Sequence, residues 1–366
     1  NEDPIGEKSF RKICFTLRLN WEHVSFDNLT PASLEGQTVR AKAFSEGLIR
    51  RVRECCRQKI LKRHSWIRLL NGEEIRVDQL YVDVWLLKGP ECGRFDTQES
   101  LLSNFNVEQD RLALGERIQR DPGFAVANSN PKLVILGKPG SGKTTFLKHL
   151  AVDWCKGKFR DEQIAVLIEL RRIREHRWSL VDAISQELEL EKETLTLLEQ
   201  GNLIVLMDGL DEVPTDALRR SVQKQVKEVS EKYSDKNRFI LTSRTQTIGA
   251  IPPGFNPVEV ADFSTEQVKQ FVNNWFVSNG QSGVAVSNPW KTLLRAIDNQ
   301  PSLKEVTATP VLLSLICVVW QDSKAIPTNR ADIYKKGISW LLRRWNDTKQ
   351  IEGWEIGTEA YRELRL

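Results

Sequence analysis

The chain is poor in the residues that announce metal or disulfide chemistry. Its four histidines (His23, His64, His149, His176) stand far apart, so no metal-ligand spacing appears. Six cysteines (Cys14, Cys55, Cys56, Cys92, Cys155, Cys317) are scattered without a C-x-x-C pair, and no secretory leader precedes them. That usage speaks against a disulfide framework or a zinc site and fits buried or free thiols in a reducing, cytoplasmic compartment. Long apolar runs are missing too. The longest, Pro310 to Trp320, is about half of the ~20 residues a membrane helix requires, so no membrane span is expected. Excess charge of one sign is slight: a net +4 is too small to imply a nucleic-acid partner by itself. No internal repeat or low-complexity tract appears. The first residue is Asn1 rather than Met, and the chain stops at Leu366 without a terminal signal, which reads as a piece of a longer protein.

What remains is an ordinary globular composition, 40% hydrophobic and 28% charged, long enough for two or three domains. Residues 1–88 read as a mainly helical N-terminal module with a small β-hairpin. Phe44, Leu48 and Val52 recur at helical spacing. Around them Arg40, Lys42, Arg50, Arg51, Arg53, Arg57, Lys59, Lys62 and Arg63 outnumber Glu35, Glu46 and Glu54. The solvated face of an amphipathic helix explains this better than a nucleic-acid surface, which stays open. Trp66 to Val77 predicts a hairpin about Asn71-Gly72, and Leu80 to Leu87 has β-rich alternation. Glycine, proline and polar residues then predict a linker over 89–130, with a short helix around 101–112. Asp78 and Asp83 are isolated strand-flanking acids, better read as solvated than as catalytic.

From Pro131 the rhythm becomes strand, helix, strand. Apolar runs at 132–136, 164–170, 203–207, 238–242 and 257–260 alternate with helix-length segments, which predicts a parallel sheet with helices on both faces over 131–263. Beyond Phe263 the pattern is all-helical to 366. Ser264-Thr265-Glu266-Gln267 is a capping box ahead of an apolar face, and Pro310 and Ile333 mark further helices.

The strongest chemical signal is Leu133 to Thr145. A buried strand runs into Gly137-Lys138-Pro139-Gly140-Ser141-Gly142-Lys143-Thr144-Thr145, which satisfies G-x-x-x-x-G-K-[ST], the phosphate-binding loop. Glycines let successive backbone N–H groups converge as an anion nest, and the positive end of the following helix adds to the field. Lys143 then reaches the outer phosphates, and the Thr144 hydroxyl holds Mg²⁺. A second element supports it. Leu203 to Met207 is a buried strand ending in Asp208-Gly209-Leu210-Asp211-Glu212. Beyond the carboxyl end of a parallel strand, Asp208 faces the same crevice and can hold the Mg²⁺ shell, while Asp211 or Glu212 activates water. The simpler alternative is that these acids cap the next helix. Arg244, ending the run Phe239 to Ser243, can sense a γ-phosphate or stand as a surface arginine. The strand-like run Ile164 to Leu170 lies between loop and acidic strand, which suits P-loop ATPases in which another strand intervenes between the two.

Taken together, these residues resemble the NACHT family of the STAND class of signalling P-loop ATPases. The resemblance covers about 131–346 and rests on residues 137–145, Asp208 to Glu212, Thr242-Ser243-Arg244, and Thr309-Pro310-Val311-Leu312-Leu313. Neither the paired Asp of plant-type NB-ARC proteins nor the Asp-Glu and sensor Asn of AAA+ proteins fits. Tyr81 to Leu87, Val258 to Phe263 and Ala331 to Gly337 resemble bacterial, cyanobacterial-looking members. The resemblance implies an ASCE-type P-loop NTPase sheet, an ATP/ADP cofactor with Mg²⁺, and Pro310 as an adenine-side contact. Proline at the first turn of a helix is an equally good reason for that residue, and both can hold. The winged-helix histidine and C-terminal sensor of the family have no counterpart in this sequence.

Three functions follow as expectations. The first is a switch, closed with ADP and opened by ATP into a homo-oligomer, hydrolysing slowly under an unidentified activating ligand; the resemblance makes bacterial anti-phage defence its setting. The second is a turnover ATPase that remodels nucleic acid or protein. The third is a nucleotide-stabilised scaffold without catalysis.

Overall fold

A computed structural model describes residues 31–70, 72–88, 119–174, 178–190, 193–233, 235–245, 251–278, 290–323 and 330–349. The chain divides into two units, residues 1–56 and 57–366. The described part of the first is helical and belongs to α1 (Pro31–His64), whose last residues enter the second unit.

After α1 come the strands β1 (Trp66–Arg68) and β2 (Glu74–Arg76), the short helix α2 (Val77–Leu80), β3 (Trp85–Lys88), β4 (Gln119–Pro122) and α3 (Gly123–Ser129). The middle of the chain holds β5 (Lys132–Gly137), α4 (Lys143–Cys155), β6 (Ile164–Glu169), α5 (Leu180–Leu188) and α6 (Glu193–Gln200). It continues through β7 (Leu203–Asp208), α7 (Asp216–Lys232), β8 (Arg238–Arg244) and β9 (Asn256–Val260). Helices α8 (Thr265–Ser278), α9 (Trp290–Asn299), α10 (Pro301–Thr307), α11 (Pro310–Ser323) and α12 (Arg330–Lys349) complete it.

The five apolar runs read from the sequence become β5 to β9. Both faces of this sheet are covered by helices, so β5, β6 and β7 are buried almost throughout rather than alternating. The seven-stranded sheet has the order β4-β3-β9-β5-β8-β7-β6. From β9 to β6 every pairing is parallel, while β3 is antiparallel to β4 and β9. This is the α/β P-loop NTPase architecture, with further helical regions on either side in sequence. A strand does lie between the phosphate-loop strand and the acidic strand, but it is β8; the run that separates them in sequence, β6, sits at the sheet's edge.

Other expectations need correction. Residues 80–87 are not one strand: α2 ends at Leu80, and only Trp85–Lys88 joins the sheet. Residues 119–129, read as linker, form β4 and α3. Gln119-Arg120-Asp121-Pro122 has no apolar alternation to betray it, and a strand ending in proline is tolerated at a sheet edge. The helix expected around 101–112 lies outside the described residues. The hairpin does form, with Ile67 opposite Ile75, although its Asn71 is outside the described residues.

The capping box is realised in both directions. Gln267 N donates to Ser264 Oγ (3.3 Å) and Ser264 N donates to Gln267 Oε1 (2.9 Å). Gln267 Nε2 also donates to Asp83 O (2.6 Å), tying α8 to the segment before β3. Val272, Trp275, Leu293, Ile316 and Ile333 from the helices share one core with Leu69, Ile75, Leu80 and Val82. The hairpin region and the C-terminal helices therefore meet beside the carboxyl end of β5. Among the described residues no helix is long and apolar enough to cross a membrane.

Candidate functional site

A cleft of about 360 Å³ opens at the carboxyl ends of β5, β7 and β8. A ligand crevice is expected there in an open parallel sheet. Its polar end is lined by Pro139, Gly140, Ser141, Gly142, Lys143, Thr144 and Thr145 from the loop, by Asp208, Asp211 and Glu212 after β7, and by Thr242 and Arg244 of β8. Pro310, Val311 and Ser314 of α11 close another wall. Gly137 and Lys138 are not among the lining residues; they serve through their carbonyls. Every other residue that the sequence marks for nucleotide, metal or catalysis lines this cleft, whereas Asp78 and Asp83 do not.

The loop leaves β5 at Gly137, and Gly142 caps α4. Lys143 Nζ donates to Gly137 O (2.7 Å) and Lys138 O (3.0 Å), so the ammonium is folded back into the loop. Burial lowers its pKa, opposed by the nearby Asp211 carboxylate. Lys138 itself turns away to Asp262, 2.8 Å distant in an exposed pair. Gly140 has φ +75°, and a Cβ added to it would lie 2.2 Å from Val311 Cγ1. Only glycine lets the loop meet α11 so closely. Val311 N donates to Gly140 O across the same contact (3.3 Å).

Asp208 is buried at the tip of β7. Its Oδ1 accepts from Thr144 Oγ1 (3.1 Å) and Thr242 Oγ1 (2.8 Å). Burial raises its pKa, and the two hydroxyls oppose that rise. The hydroxyl and carboxylate are hard oxygen donors, and Mg²⁺ uses few protein ligands besides water and phosphate. The Thr144–Asp208 pair thus fits that ion.

Asp211 is committed to Arg244. Their side chains pair at 2.7 Å from Nε to Oδ2, and Arg244 N donates to Asp211 Oδ1 (3.1 Å). Glu212 is different: its carboxyl is raised by burial first and then by the charges of Asp208 and Asp211. A carboxylate with raised affinity for protons is the better water-activating base. The two acids, equivalent in the sequence, are therefore divided by their surroundings.

The other end of the cleft is apolar, lined by Ile67, Leu69, Leu70, Phe271 and Trp275, with Tyr81 beside them. Sequence reasoning missed these residues as site residues, because Phe271 and Trp275 at i, i+4 read as an ordinary core stripe. It also gave Thr242 no role. The signal was present in Thr242 itself, the first polar residue after the apolar run Phe239-Ile240-Leu241.

Residues 132–279 match the family model described as the NACHT domain. NLR family CARD domain-containing protein 4 of Xenopus tropicalis is 26% identical over 202 residues, 51% of this chain. The match covers 18% of that relative, so the chain spans under a fifth of its length. A solved structure of C. elegans PCH-2 aligns with a TM-score of 0.33 and 14% identity, over 61% of this chain and 64% of the other.

Proposed function

We propose that this chain, a NACHT P-loop NTPase over residues 132–279, is a signalling switch set by ATP and ADP, with slow Mg²⁺-dependent hydrolysis as its reset. The observation that carries this reading is the Arg244–Asp211 pair at the lip of the phosphate loop. A nucleotide drives a conformational change only by its differential affinity for the two states. The γ-phosphate is the group that differs, and Arg244, paired with Asp211 beside the loop, is a side chain that binds phosphate oxygens bidentately. ATP then competes with Asp211 for Arg244, whereas ADP leaves the pair intact.

The other residues take ordinary parts. Lys143 and the loop amides bind the phosphates, and Glu212 orients and deprotonates the attacking water. Thr144 and Asp208 hold Mg²⁺, which when bound neutralises charge on the phosphates. The apolar end of the cleft, with Pro310 at its side, receives the base. The resemblance to bacterial NACHT proteins supports homo-oligomerisation in the ATP state and anti-phage defence as the setting.

The rival reading, a turnover ATPase on nucleic acid, rests on the basic run ending at Arg63. Part of that run is already engaged: Lys59 pairs with Glu189 at 2.9 Å and Arg63 with Glu187 at 3.7 Å. The test is the nucleotide carried through purification, followed by steady-state hydrolysis with and without DNA or RNA. Retained ADP and slow, unstimulated turnover support the switch. Strong stimulation by nucleic acid would transfer the support to the rival.

A further inference from the structure

A hydroxyl has one proton and two acceptor lone pairs, and at Thr242 both kinds of capacity are used. Gly209 N lies 2.8 Å from Thr242 Oγ1 and is able only to donate to it. The hydroxyl proton is therefore free for Asp208 Oδ1, also at 2.8 Å. Thr242 is 1% exposed, so no solvent competes for either bond. Sheet order explains the placement. β8 lies between β5 and β7, with Ile135 opposite Thr242 on one side and Met207 opposite Leu241 on the other. Thr242 thus stands beside the residue that follows Met207, namely Asp208.

The brace acts at two points. It fixes one carboxylate oxygen, together with Thr144, while Asp208 Oδ2 has no hydrogen-bond partner among the described residues. It also pins the amide of Gly209, the pivot between Asp208 and Glu212. Gly209 has φ +79°, and a Cβ added to it would lie 3.3 Å from Glu212 Cδ. Carboxylate and turn are held by one side chain.

We propose that Thr242 is a positioning residue of the nucleotide site, which sets the orientation of Asp208 for the divalent ion and of the Gly209 turn for Glu212. It acts through those two residues, to which its hydrogen bonds go. The inference rests on the reading of this cleft as an Mg²⁺-nucleotide site. Partners of this kind, behind a metal ligand, typically change metal affinity or activity by roughly ten- to a hundredfold when removed.

The experiment uses Thr242→Val, which keeps the shape and removes both bonds, and Thr242→Ser, which keeps both. Mn²⁺ binding to the ADP-loaded protein is read from the electron paramagnetic resonance of free Mn²⁺, and ADP affinity is measured separately without divalent ion. Valine is expected to weaken Mn²⁺ binding roughly ten- to a hundredfold with metal-free ADP affinity unchanged. Serine is expected to restore the wild-type Mn²⁺ affinity. Unchanged Mn²⁺ affinity in the valine variant overturns the proposal, as does a serine variant that behaves like valine, since the methyl group would then be what matters. If valine does not yield folded protein, Thr242→Cys supplies the comparison, with weaker Mn²⁺ binding expected and wild-type affinity refuting. A wild-type protein that binds no ADP would instead sink the nucleotide reading, which separates the two failures.

Discussion

The contact between the phosphate loop and α11 predicts a specific double-mutant cycle. In Gly140→Ala the new Cβ meets Val311 Cγ1 at 2.2 Å, well inside van der Waals contact, at a residue with φ +75°. The left-handed backbone costs an alanine about 1–2 kcal/mol. Forcing loop and helix apart adds about 1–3 kcal/mol. Loss of unfolded-state freedom returns about 0.4–1 kcal/mol, so the net is about 1–5 kcal/mol. At roughly 2–4 °C per kcal/mol for a body of this size, the unfolding midpoint falls by about 2–20 °C. Val311→Ala alone costs little, because Val311 is 38% exposed. The double variant Gly140→Ala, Val311→Ala removes the Cγ1 contact but leaves Val311 Cβ 2.6 Å from the new methyl and keeps the backbone penalty, so it should recover only part of the loss. Thermal unfolding of the four proteins measures the cycle. A Gly140→Ala protein as stable as wild type, or a double variant no better than the single, would refute the close approach of loop and helix.

Three further predictions concern the same unit. Lys143→Ala removes the ammonium now 2.7 Å from Gly137 O; losing one or two charge-assisted bonds to phosphate is worth about 3 kcal/mol, roughly a 150-fold weaker nucleotide, which fluorescence titration reads directly. Glu212→Gln should leave nucleotide binding intact and slow single-turnover hydrolysis by on the order of a hundredfold, whereas Asp211→Asn should act mainly by freeing Arg244; equal hydrolysis in wild type and Glu212→Gln removes the base assignment. Burial lowers His64 from 6.5 to about 4, against the weaker opposing pull of Glu169. A depressed histidine pKa stabilises the fold in full above about pH 6.5, and that contribution of up to about 3 kcal/mol disappears as pH falls towards 4. Chemical unfolding across this range should show the slope, and His64→Gln should flatten it.

The nucleotide-binding sheet was legible because its strands are buried on both faces. Runs such as Leu133 to Leu136 and Leu203 to Met207 admit no polar residue until the strand ends, where chemistry begins. The phosphate loop was legible because its geometry demands glycine at fixed positions. Strand order was not, since nothing in Ile164 to Glu169 says whether it sits at the centre or the edge of a sheet. The pairing that sets Asp211 apart from Glu212 was equally hidden; it depends on Arg244, more than thirty residues away in sequence. β4 escaped because Gln119-Arg120-Asp121-Pro122 is an edge strand whose side chains carry no core pattern. The apolar end of the cleft escaped for the opposite reason: Phe271 and Trp275 do pack like core, and the cavity wall they form looks no different in sequence.

The central claim is that Arg244 tells ATP from ADP. The direct measurement is a pair of dissociation constants, for ADP and for a non-hydrolysable ATP analogue, in the wild-type protein and in Arg244→Ala. Loss of one bidentate phosphate contact predicts analogue binding weaker by about 1.5–3 kcal/mol, roughly ten- to 150-fold, with ADP binding unchanged. An Arg244→Ala protein that weakens both nucleotides equally, or neither, would contradict it.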